Sequence, residues 1–337
     1  MSFNVFNGTF KLACVAAALL ASGVSQAASL TLYSAQHEQT VNLLVKDFEK
    51  QSGISVKVRT GEGPELAAQL LAEGSASPAD VYFTENSPEL MLLEGKGMLE
   101  KVEPATLSTI PARFNSPSGE WVGVVARENV LAYNTKLIQP ADLPASLLDL
   151  AGPAWKGKLA IAPSDGDFLP VVSAVLALKG DAATLEWLKG LRTNSQIFND
   201  DEGVTAAVNR GGVAVGIINN YYWARLHAEL GDKGTHSALY HFGNGDVGAL
   251  VNVSGAAVLK TTHNRDASNK FLAYLTSEGA QQLMAQNKVT YEYPLRAGVA
   301  PDPLLTPFSQ LSPPALDMKA LGDDTQAVKL LRQAGLL

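Results

Sequence analysis

Cysteine is nearly absent from this sequence. Cys14 is the only cysteine among 337 residues, and it lies in an apolar run near the N-terminus. A single cysteine cannot form a disulfide within the chain, and it cannot build a metal site from several thiolates. Cys14 does not fit a lipid anchor either, because most of the apolar run follows it instead of preceding it. Functions that depend on paired or clustered cysteines are therefore excluded.

Basic charge is also scarce. The chain has 26 Lys and Arg against 33 Asp and Glu, a formal net charge of -7, and no dense basic run. Nucleic-acid-binding surfaces carry clustered positive charge, so nucleic acid is not expected as a partner. No segment reaches the about 18 uninterrupted apolar residues that a membrane span requires. The remaining composition, 46% hydrophobic and 18% charged, is that of an ordinary folded protein.

Familiar catalytic motifs are missing as well. The sequence has no Gly-x-Ser-x-Gly elbow, no His-Glu-x-x-His pair and no phosphate-binding loop. Asp165 and Asp167 are acids close in sequence, but two residues so spaced in a turn rarely converge on one substrate. The sequence therefore predicts a protein that is not an enzyme.

The N-terminal segment has the pattern of a secretory signal. Lys11 precedes the apolar run 12–21, and Ser25-Gln26-Ala27 supplies small residues at the cleavage positions. This pattern predicts a cleavable signal peptide over residues 1–27 and a soluble protein exported to the periplasm. The segment carries Lys11 and no acid, so its removal would change the formal net charge from -7 to -8.

The first part of the chain predicts strands that alternate with helices. This order is typical of a parallel, doubly wound sheet. His37 and Glu85 each follow a predicted strand, where an α/β sheet places its ligands. The predicted strands are 30–34, 54–58 and 80–84, and the predicted helices are 41–48, 64–71 and 88–93.

A second α/β unit follows two strands that are expected to carry the chain from one lobe to the other. The crossing strands are predicted at 122–127 and 130–134, with a returning strand at 254–259. The second unit itself is predicted to contain a segment at 155–162 that leads into a turn at 163–167, helices at 168–179 and 182–191, and a buried strand at 212–218. Helices at 267–275, 279–285 and 326–333 complete the prediction.

Tyr221 and Tyr222 lie where the buried strand 212–218 gives way to a helix predicted from Trp223. Asn219 or Asn220 is a suitable N-cap for that helix. Two adjacent phenols at the carboxyl end of a strand can bind a ligand together. The alternative is that the two tyrosines only cap the sheet and pack outward.

Five stretches, in order, resemble the periplasmic ferric-ion-binding proteins of bacterial iron ABC importers. The resemblance implies a type II periplasmic binding protein, in which each lobe is a mixed, mainly parallel sheet flanked by helices and hinge strands join the lobes. The implied lobes are 28–128 with 255–305, and 129–254 with 306–337. The stretches are Tyr33-Ser34-Ala35-Gln36-His37-Glu38, Ser77-Pro78-Ala79-Asp80-Val81 leading to Glu85, Asn219-Asn220-Tyr221-Tyr222-Trp223, Ser254-Gly255-Ala256-Ala257-Val258 and Tyr291-Glu292-Tyr293-Pro294-Leu295.

The same resemblance implies a ferric site in the cleft. His37 and Glu85 would be ligands from the first lobe, and Tyr221 and Tyr222 from the second. Fe3+ prefers oxygen donors and tolerates imidazole. Neutral imidazole, one carboxylate and two phenolates balance the charge of the ion. The other histidines show no metal spacing and are expected at the surface: His227, His236, His241 and His263.

The sequence departs from the family where phosphate-using members hold their anion. Asp165, Gly166 and Asp167 match a Ser-Gly-Ala turn, and Asp201 matches an Asn. Three acids would repel phosphate, so we expect carbonate held by Arg127, water, or the Asp165 carboxylate to complete the iron shell. Asp165 and Asp167 have the alternative role of stabilising a turn, and Arg127 that of pairing with an acid between the lobes.

The predicted function is therefore that of a monomeric periplasmic carrier, which binds Fe3+ and delivers it to an inner-membrane ABC permease and its ATPase. One alternative keeps the transport role but changes the ligand to a small organic molecule, such as thiamine, a polyamine or a phosphonate. A second alternative is a periplasmic hydrolase on the same scaffold.

Overall fold

The structure, a computed structural model, describes residues 1–2 and 29–337. The predicted signal peptide, apart from Met1 and Ser2, lies outside the described residues. The strands of the described chain form one mixed sheet of order β2-β1-β3-β9-β4-β7-β5-β6, and β8 and β10 also pair with β4. Helices connect the strands.

The first half of the sheet is parallel at its outer edge. β1 pairs in parallel with β2 on one side and with β3 on the other, as the alternating sequence pattern predicts. The helices between these strands bury one apolar face each, for example through Leu44 and Phe48 in the first helix. The elements are β1 (Ser29–Ala35), α1 (Glu38–Ser52), β2 (Ser55–Thr60), α2 (Gly63–Glu73), β3 (Val81–Thr84), α3 (Ser87–Gly95) and the short α4 (Pro104–Leu107).

Two antiparallel strands, β4 (Val122–Asn134) and β9 (Val251–Val258), join the halves of the sheet. β4 pairs with β9 through residue 128 and with β7 from residue 129 onward. The two strands predicted at 122–127 and 130–134 are therefore one continuous strand, because Glu128 and Asn129 keep extended pairing across the junction.

The first half of the sheet comprises β1 to β3, β10 and the parts of β4 and β9 that pair with each other. The second half is β5 to β8 with the rest of β4.

The second half contains short strands and the longest helix. Its elements are β5 (Leu159–Ile161), α5 (Phe168–Asn194), β6 (Ser195–Ile197), α6 (Asp201–Arg210), β7 (Val215–Asn219), α7 (Asn220–Gly234) and β8 (Ser237–Tyr240). α5 unites the two helices predicted there across a kink at Gly180, which has φ 77°. Within the segment 155–162 only Leu159–Ile161 forms a strand, because a 3-10 turn over Pro153–Trp155 and left-handed Gly157 precede it. The sequence analysis missed β6, α6 and β8.

Within the described residues, α5 is the one helix that is long and apolar enough to cross a membrane by length and composition. Several of its apolar side chains are buried in the core, among them Val171, Val175 and Leu188. Its apolar character is that of a core helix in this fold. The chain closes with α8 (Arg265–Leu275), α9 (Glu278–Gln286), β10 (Tyr293–Pro294), α10 (Met318–Leu321) and α11 (Thr325–Gln333).

Candidate metal centre

His37 and Glu85 come together at the rim of the first half. His37 is the residue before α1, and Glu85 follows β3 directly. The imidazole Nδ1 lies 2.9 Å from Glu85 Oε1, and both side chains are largely buried. Nε2 of His37 is buried and has no hydrogen-bond partner among the described residues. A buried, unpaired ring nitrogen is suited to binding a cation.

Tyr221 and Tyr222 lie in the first turn of α7, which begins three residues before the predicted start at Trp223. Asn219 is the N-cap, but its side chain forms no capping hydrogen bond. The side-chain oxygen of Asn220 instead accepts the backbone N–H of Glu128 in β4 at 2.8 Å. This bond fixes the junction of β7 and α7, and with it both tyrosines.

The four residues that the family resemblance implied converge. The Tyr221 and Tyr222 rings are 4.2 Å apart between centroids. The His37 ring packs edge-on against both, with its centroid 5.0 Å from that of Tyr221 and 6.4 Å from that of Tyr222. Glu85 completes the group through its contact with His37. Imidazole, carboxylate and two phenols from the two halves therefore lie side by side.

The environment favours neutral phenols and a charged imidazole. Burial, and then the nearby Asp167 carboxylate, raises the pKa of both Tyr221 and Tyr222 well above the ordinary value. Burial lowers the pKa of His37, but the charge and hydrogen bond of Glu85 outweigh it and leave that pKa raised. Any cation bound here must displace protons from these donors.

Arg127 lies at the centre of a buried set of carboxylates. Its side chain is fully buried. One Nη2 contact reaches Asp167 Oδ1 at 3.0 Å, another reaches Asn86 Oδ1 at 2.8 Å, and Nη1 lies 3.4 Å from Glu292 Oε1. Glu85 Oε2 is farther, at 3.8 Å. Arg127, which was predicted to hold an anion, thus already pairs with acids. This pairing corresponds to the alternative role given for it.

The acidic turn is built into the second half through backbone hydrogen bonds. Asp165 accepts the N–H groups of Asp167 at 3.0 Å and Asp201 at 2.9 Å. Asp201 accepts the N–H of Asn219 at 3.1 Å, and Asp167 accepts the hydroxyl of Tyr221 at 2.6 Å. The three acids therefore support the backbone around the tyrosines. The predicted Gly166 lies at the same turn, where its carbonyl accepts from Asn86 at 3.4 Å.

These acids differ in protonation. Burial and the neighbouring Asp167 raise the pKa of Asp165 to about 7. Burial and Asp165 raise the pKa of Asp201 well above its ordinary value. Burial alone would raise the pKa of Asp167, but the charge of Arg127 and the hydrogen bonds of Tyr221 and Asn219 together outweigh burial and leave that pKa lowered. Asp167 is therefore the acid of this turn that stays ionised.

A cleft of about 610 Å³ runs between the two rims. No three His, Cys, Asp or Glu side chains are grouped to hold a metal in the part of the chain that the structure describes. A metal at this site would consequently need the phenol oxygens. The cleft is lined from both halves by His37, Glu85, Asn86, Asp165, Gly166 and Tyr222, among others.

Two residues of this region were missed by the sequence analysis. Glu292 contacts Arg127 and comes from a stretch 165 residues away, so only the folded chain brings it here. Arg225 places its guanidinium 4.6 Å from the Tyr221 ring centroid. The spacing of four residues between Tyr221 and Arg225 on one helix is a signal that could have found it.

Comparison with known proteins places the chain in a family. The profile of the family described as bacterial extracellular solute-binding protein matches residues 44–311. The Fe(3+)-binding periplasmic protein of Serratia marcescens is 38% identical over 330 residues, which is 97% of this chain and 97% of that protein. The chain belongs to the periplasmic ferric-ion-binding proteins. The resemblance predicted from the sequence is thereby confirmed.

Solved structures of ferric-binding proteins agree with the fold. The iron-bound HitA of Pseudomonas aeruginosa has 43% sequence identity and a TM-score of 0.87, over 92% of this chain and 100% of that chain. The Trichodesmium IdiA (FutA), solved with iron and citrate ligands, has 30% identity and a TM-score of 0.80, over 92% and 100%. The predicted two-lobed α/β fold is confirmed. The prediction of a non-enzyme is also confirmed, because these relatives are solute-binding transport proteins.

Proposed function

We propose that this ferric-ion-binding protein carries Fe3+ in the periplasm through His37, Glu85, Tyr221 and Tyr222. The observation that carries the proposal is the convergence of these four side chains, with the buried Nε2 of His37 left without a partner. The Serratia relative is named for binding Fe(3+) and for its periplasmic location, which supports the proposal. Delivery would be to an inner-membrane ABC permease and its ATPase, and the carrier would act as a monomer after loss of residues 1–27.

The donor set suits a trivalent ion. Carboxylate and phenolate oxygens are the ligands that a hard cation prefers. Two phenolates, one carboxylate and a neutral imidazole together carry three negative charges, which compensates the ion in a largely buried place. Binding would release the protons of both phenols, so the affinity for Fe3+ should fall as pH falls.

The lobes would move about the junctions in β4 and β9. The proposed lobes are 28–128 with 255–305, and 129–254 with 306–337. β4 changes its pairing from β9 to β7 between residues 128 and 129, and α11 packs on α5 of the second half, both of which support this division. Opening at the permease would separate His37 and Glu85 from the tyrosines. Iron bound by one lobe alone would be held much more weakly.

The remaining coordination positions would be filled without phosphate. The turn that would hold phosphate in the family carries Asp165 and Asp167, and Asp201 packs behind it. Asp167 stays ionised, and its charge would repel a phosphate anion. Carbonate, water or the Asp165 carboxylate would complete the shell. Carbonate on Arg127 would have to displace Asp167 from the guanidinium.

The test is an absorption titration of the iron-free protein with ferric citrate. Ferric phenolate gives a red to orange charge-transfer band, so we expect a band that saturates at one equivalent. The band should form equally well in phosphate-free buffer, in bicarbonate and in phosphate. A band that requires phosphate would overturn the anion proposal alone. A protein that stays colourless would overturn the ferric site and favour a small organic ligand such as thiamine, a polyamine or a phosphonate.

A further inference from the structure

We propose that Arg225 is a positioning residue for the ferric site, which places its positive charge against the two phenol rings and ties them to the opposite half. The proposal rests on the ferric site proposed above. It adds a residue that donates no ligand atom but acts on both tyrosine ligands at once.

The geometry of α7 brings the guanidinium onto the rings. Arg225 follows Tyr221 by four residues and Tyr222 by three, so the three side chains share one helix face. The Arg225 Cζ atom lies 4.6 Å from the Tyr221 ring centroid and 6.0 Å from that of Tyr222. Both distances are within the range over which a cation is attracted to the electron-rich face of an aromatic ring.

The charge of Arg225 has no carboxylate partner within ion-pair distance among the described residues, whereas Arg127 has Asp167, Glu85 and Glu292. Nη2 of Arg225 is buried and donates to no hydrogen-bond acceptor in the same part of the chain. The contacts of the guanidinium are therefore the faces of the two tyrosine rings and the carbonyl of Val289. When Fe3+ binds phenolates, negative charge is spread into those rings, and the guanidinium is already in place to stabilise it.

Arg225 is also fixed from the other side of the cleft. Its Nε donates to the carbonyl of Val289 at 2.9 Å. Val289 belongs to the loop between α9 and β10, which leads into the first half of the sheet. Lys288 and Tyr291 in this loop have φ of 57° and 48°, a left-handed conformation that favours glycine.

A second bond from α7 supports the same loop. Asn220 Nδ2 lies 3.5 Å from the carbonyl of Tyr291, the distance of a long hydrogen bond. Arg225 and Asn220 thus attach the tyrosine helix to a loop of the opposite half that holds an unfavourable backbone conformation. Arg225 is the one of the two that also touches the rings, so it links closure of the cleft to the orientation of the ligands.

Removing the charge should change the iron centre in two ways. A cation beside a phenolate lowers the energy of the ring electrons that move to iron in the charge-transfer transition. Its loss should move the band to longer wavelength. Loss of a cation–ring contact should also weaken Fe3+ binding by about 2- to 30-fold.

The test compares Arg225→Gln, Arg225→Lys and the control Arg210→Gln, which changes an exposed arginine at the end of α6. Each full-length mature protein is titrated with ferric iron against citrate, and the band position and apparent affinity are recorded. Arg225→Gln should show the red shift and the loss of affinity. Arg225→Lys should keep a band close to that of the wild type, because its charge remains, and Arg210→Gln should match the wild type.

The outcomes separate this inference from the ferric site itself. A wild type that gives no phenolate band overturns both. A wild-type band that is unchanged in position and affinity in Arg225→Gln overturns the role of Arg225 alone. If Arg225→Gln and Arg225→Lys are shifted equally, the charge is not what acts on the rings, and the inference is also overturned. Circular dichroism of each variant confirms that the comparison is made between folded proteins.

Discussion

The two rims of the cleft hold their proposed ligands in different ways. His37 and Glu85 in the first half are 16% and 19% exposed at their side chains and are held mainly by each other. Tyr221 and Tyr222 in the second half are 0% and 8% exposed. The Arg225 guanidinium and the strand–helix junction hold both tyrosines, and the Tyr221 hydroxyl also donates to Asp167.

The difference indicates a division of labour. The second half offers two buried phenols whose rings are already packed without metal, so little conformational entropy is lost there when iron binds. The first half offers an imidazole whose Nε2 is unpaired and a carboxylate that contacts Nδ1 of the same ring. We expect the tyrosines to supply most of the affinity and the colour, and the first-half ligands to supply closure.

The largest effect should come from removing both phenol oxygens. The double variant Tyr221→Phe and Tyr222→Phe keeps the ring volumes but removes two charges that would compensate Fe3+. An uncompensated buried charge costs several kcal/mol, so affinity should fall by about 1,000-fold or more. The visible band should disappear. The measurement is the ferric citrate titration, followed by absorption.

Tyr240→Phe provides the matched control, since Tyr240 lies in β8 and packs against Phe242 away from the cleft. It should retain both the band and the affinity of the wild type. A double variant that still gives a phenolate band would show that other tyrosines bind the iron, and the comparison between the two rims would lose its basis.

A smaller effect is expected for Glu85→Gln in the first half. The substitution keeps an oxygen donor and the shape of the side chain, but it removes one compensating charge and the ion pair with His37. Affinity for Fe3+ should fall by about 30-fold or more, because one of the charges that compensate the ion is lost. The band should remain, because both phenolates remain.

The control for this variant is Glu38→Gln, an exposed acid of the same cleft wall. It should bind iron as the wild type does. If Glu85→Gln instead lost the colour, the first half would be setting the phenolate coordination, and the proposed division between the rims would be wrong.

Local pattern explains why much of the fold was predictable. The alternation of strands and helices in the first half, and the apolar run before Tyr221, depend on neighbours in sequence. The ends of such strands meet at one edge of a sheet, so His37, Glu85 and the tyrosine pair could be placed there. Their assignment as iron ligands came from the family resemblance, and it stays a prediction until iron binding is measured.

Contacts between distant residues explain what was missed. The start of α7 at Asn220 depends on a bond to Glu128, which is 92 residues away. The carboxylates around Arg127 come from three separate stretches. His241, expected at the surface, instead places Nδ1 2.6 Å from the buried Glu128. Polar pairs of this kind leave no periodic signal in the sequence, so the interior of the cleft could not be read from it.

The smallest effect concerns an acid pair where the two rims approach each other outside the ferric centre. Glu89 in α3 and Asp324 at the start of α11 line a shared groove. Burial, and then the charge of Asp324, raises the pKa of Glu89 to about 8. Burial raises the pKa of Asp324 to about 7. Neither acid pairs with a cation within ion-pair distance in residues 29–337, so their neutral forms are favoured when the groove is closed.

A group with a raised pKa stabilises the folded state at low pH and loses that contribution as pH rises through the raised value. The iron-free wild type should therefore become less stable between pH 6 and pH 8. Over this interval the free energy of unfolding of Glu89→Gln should decrease less than that of the wild type, by on the order of 1 kcal/mol. Thermal unfolding at several pH values measures the difference, and the exposed Glu65→Gln on α2 is the control. Parallel pH profiles for Glu89→Gln and the wild type would mean that Glu89 is ionised in the folded protein. Burial between the two rims would then not hold a proton on the Glu89 carboxyl group.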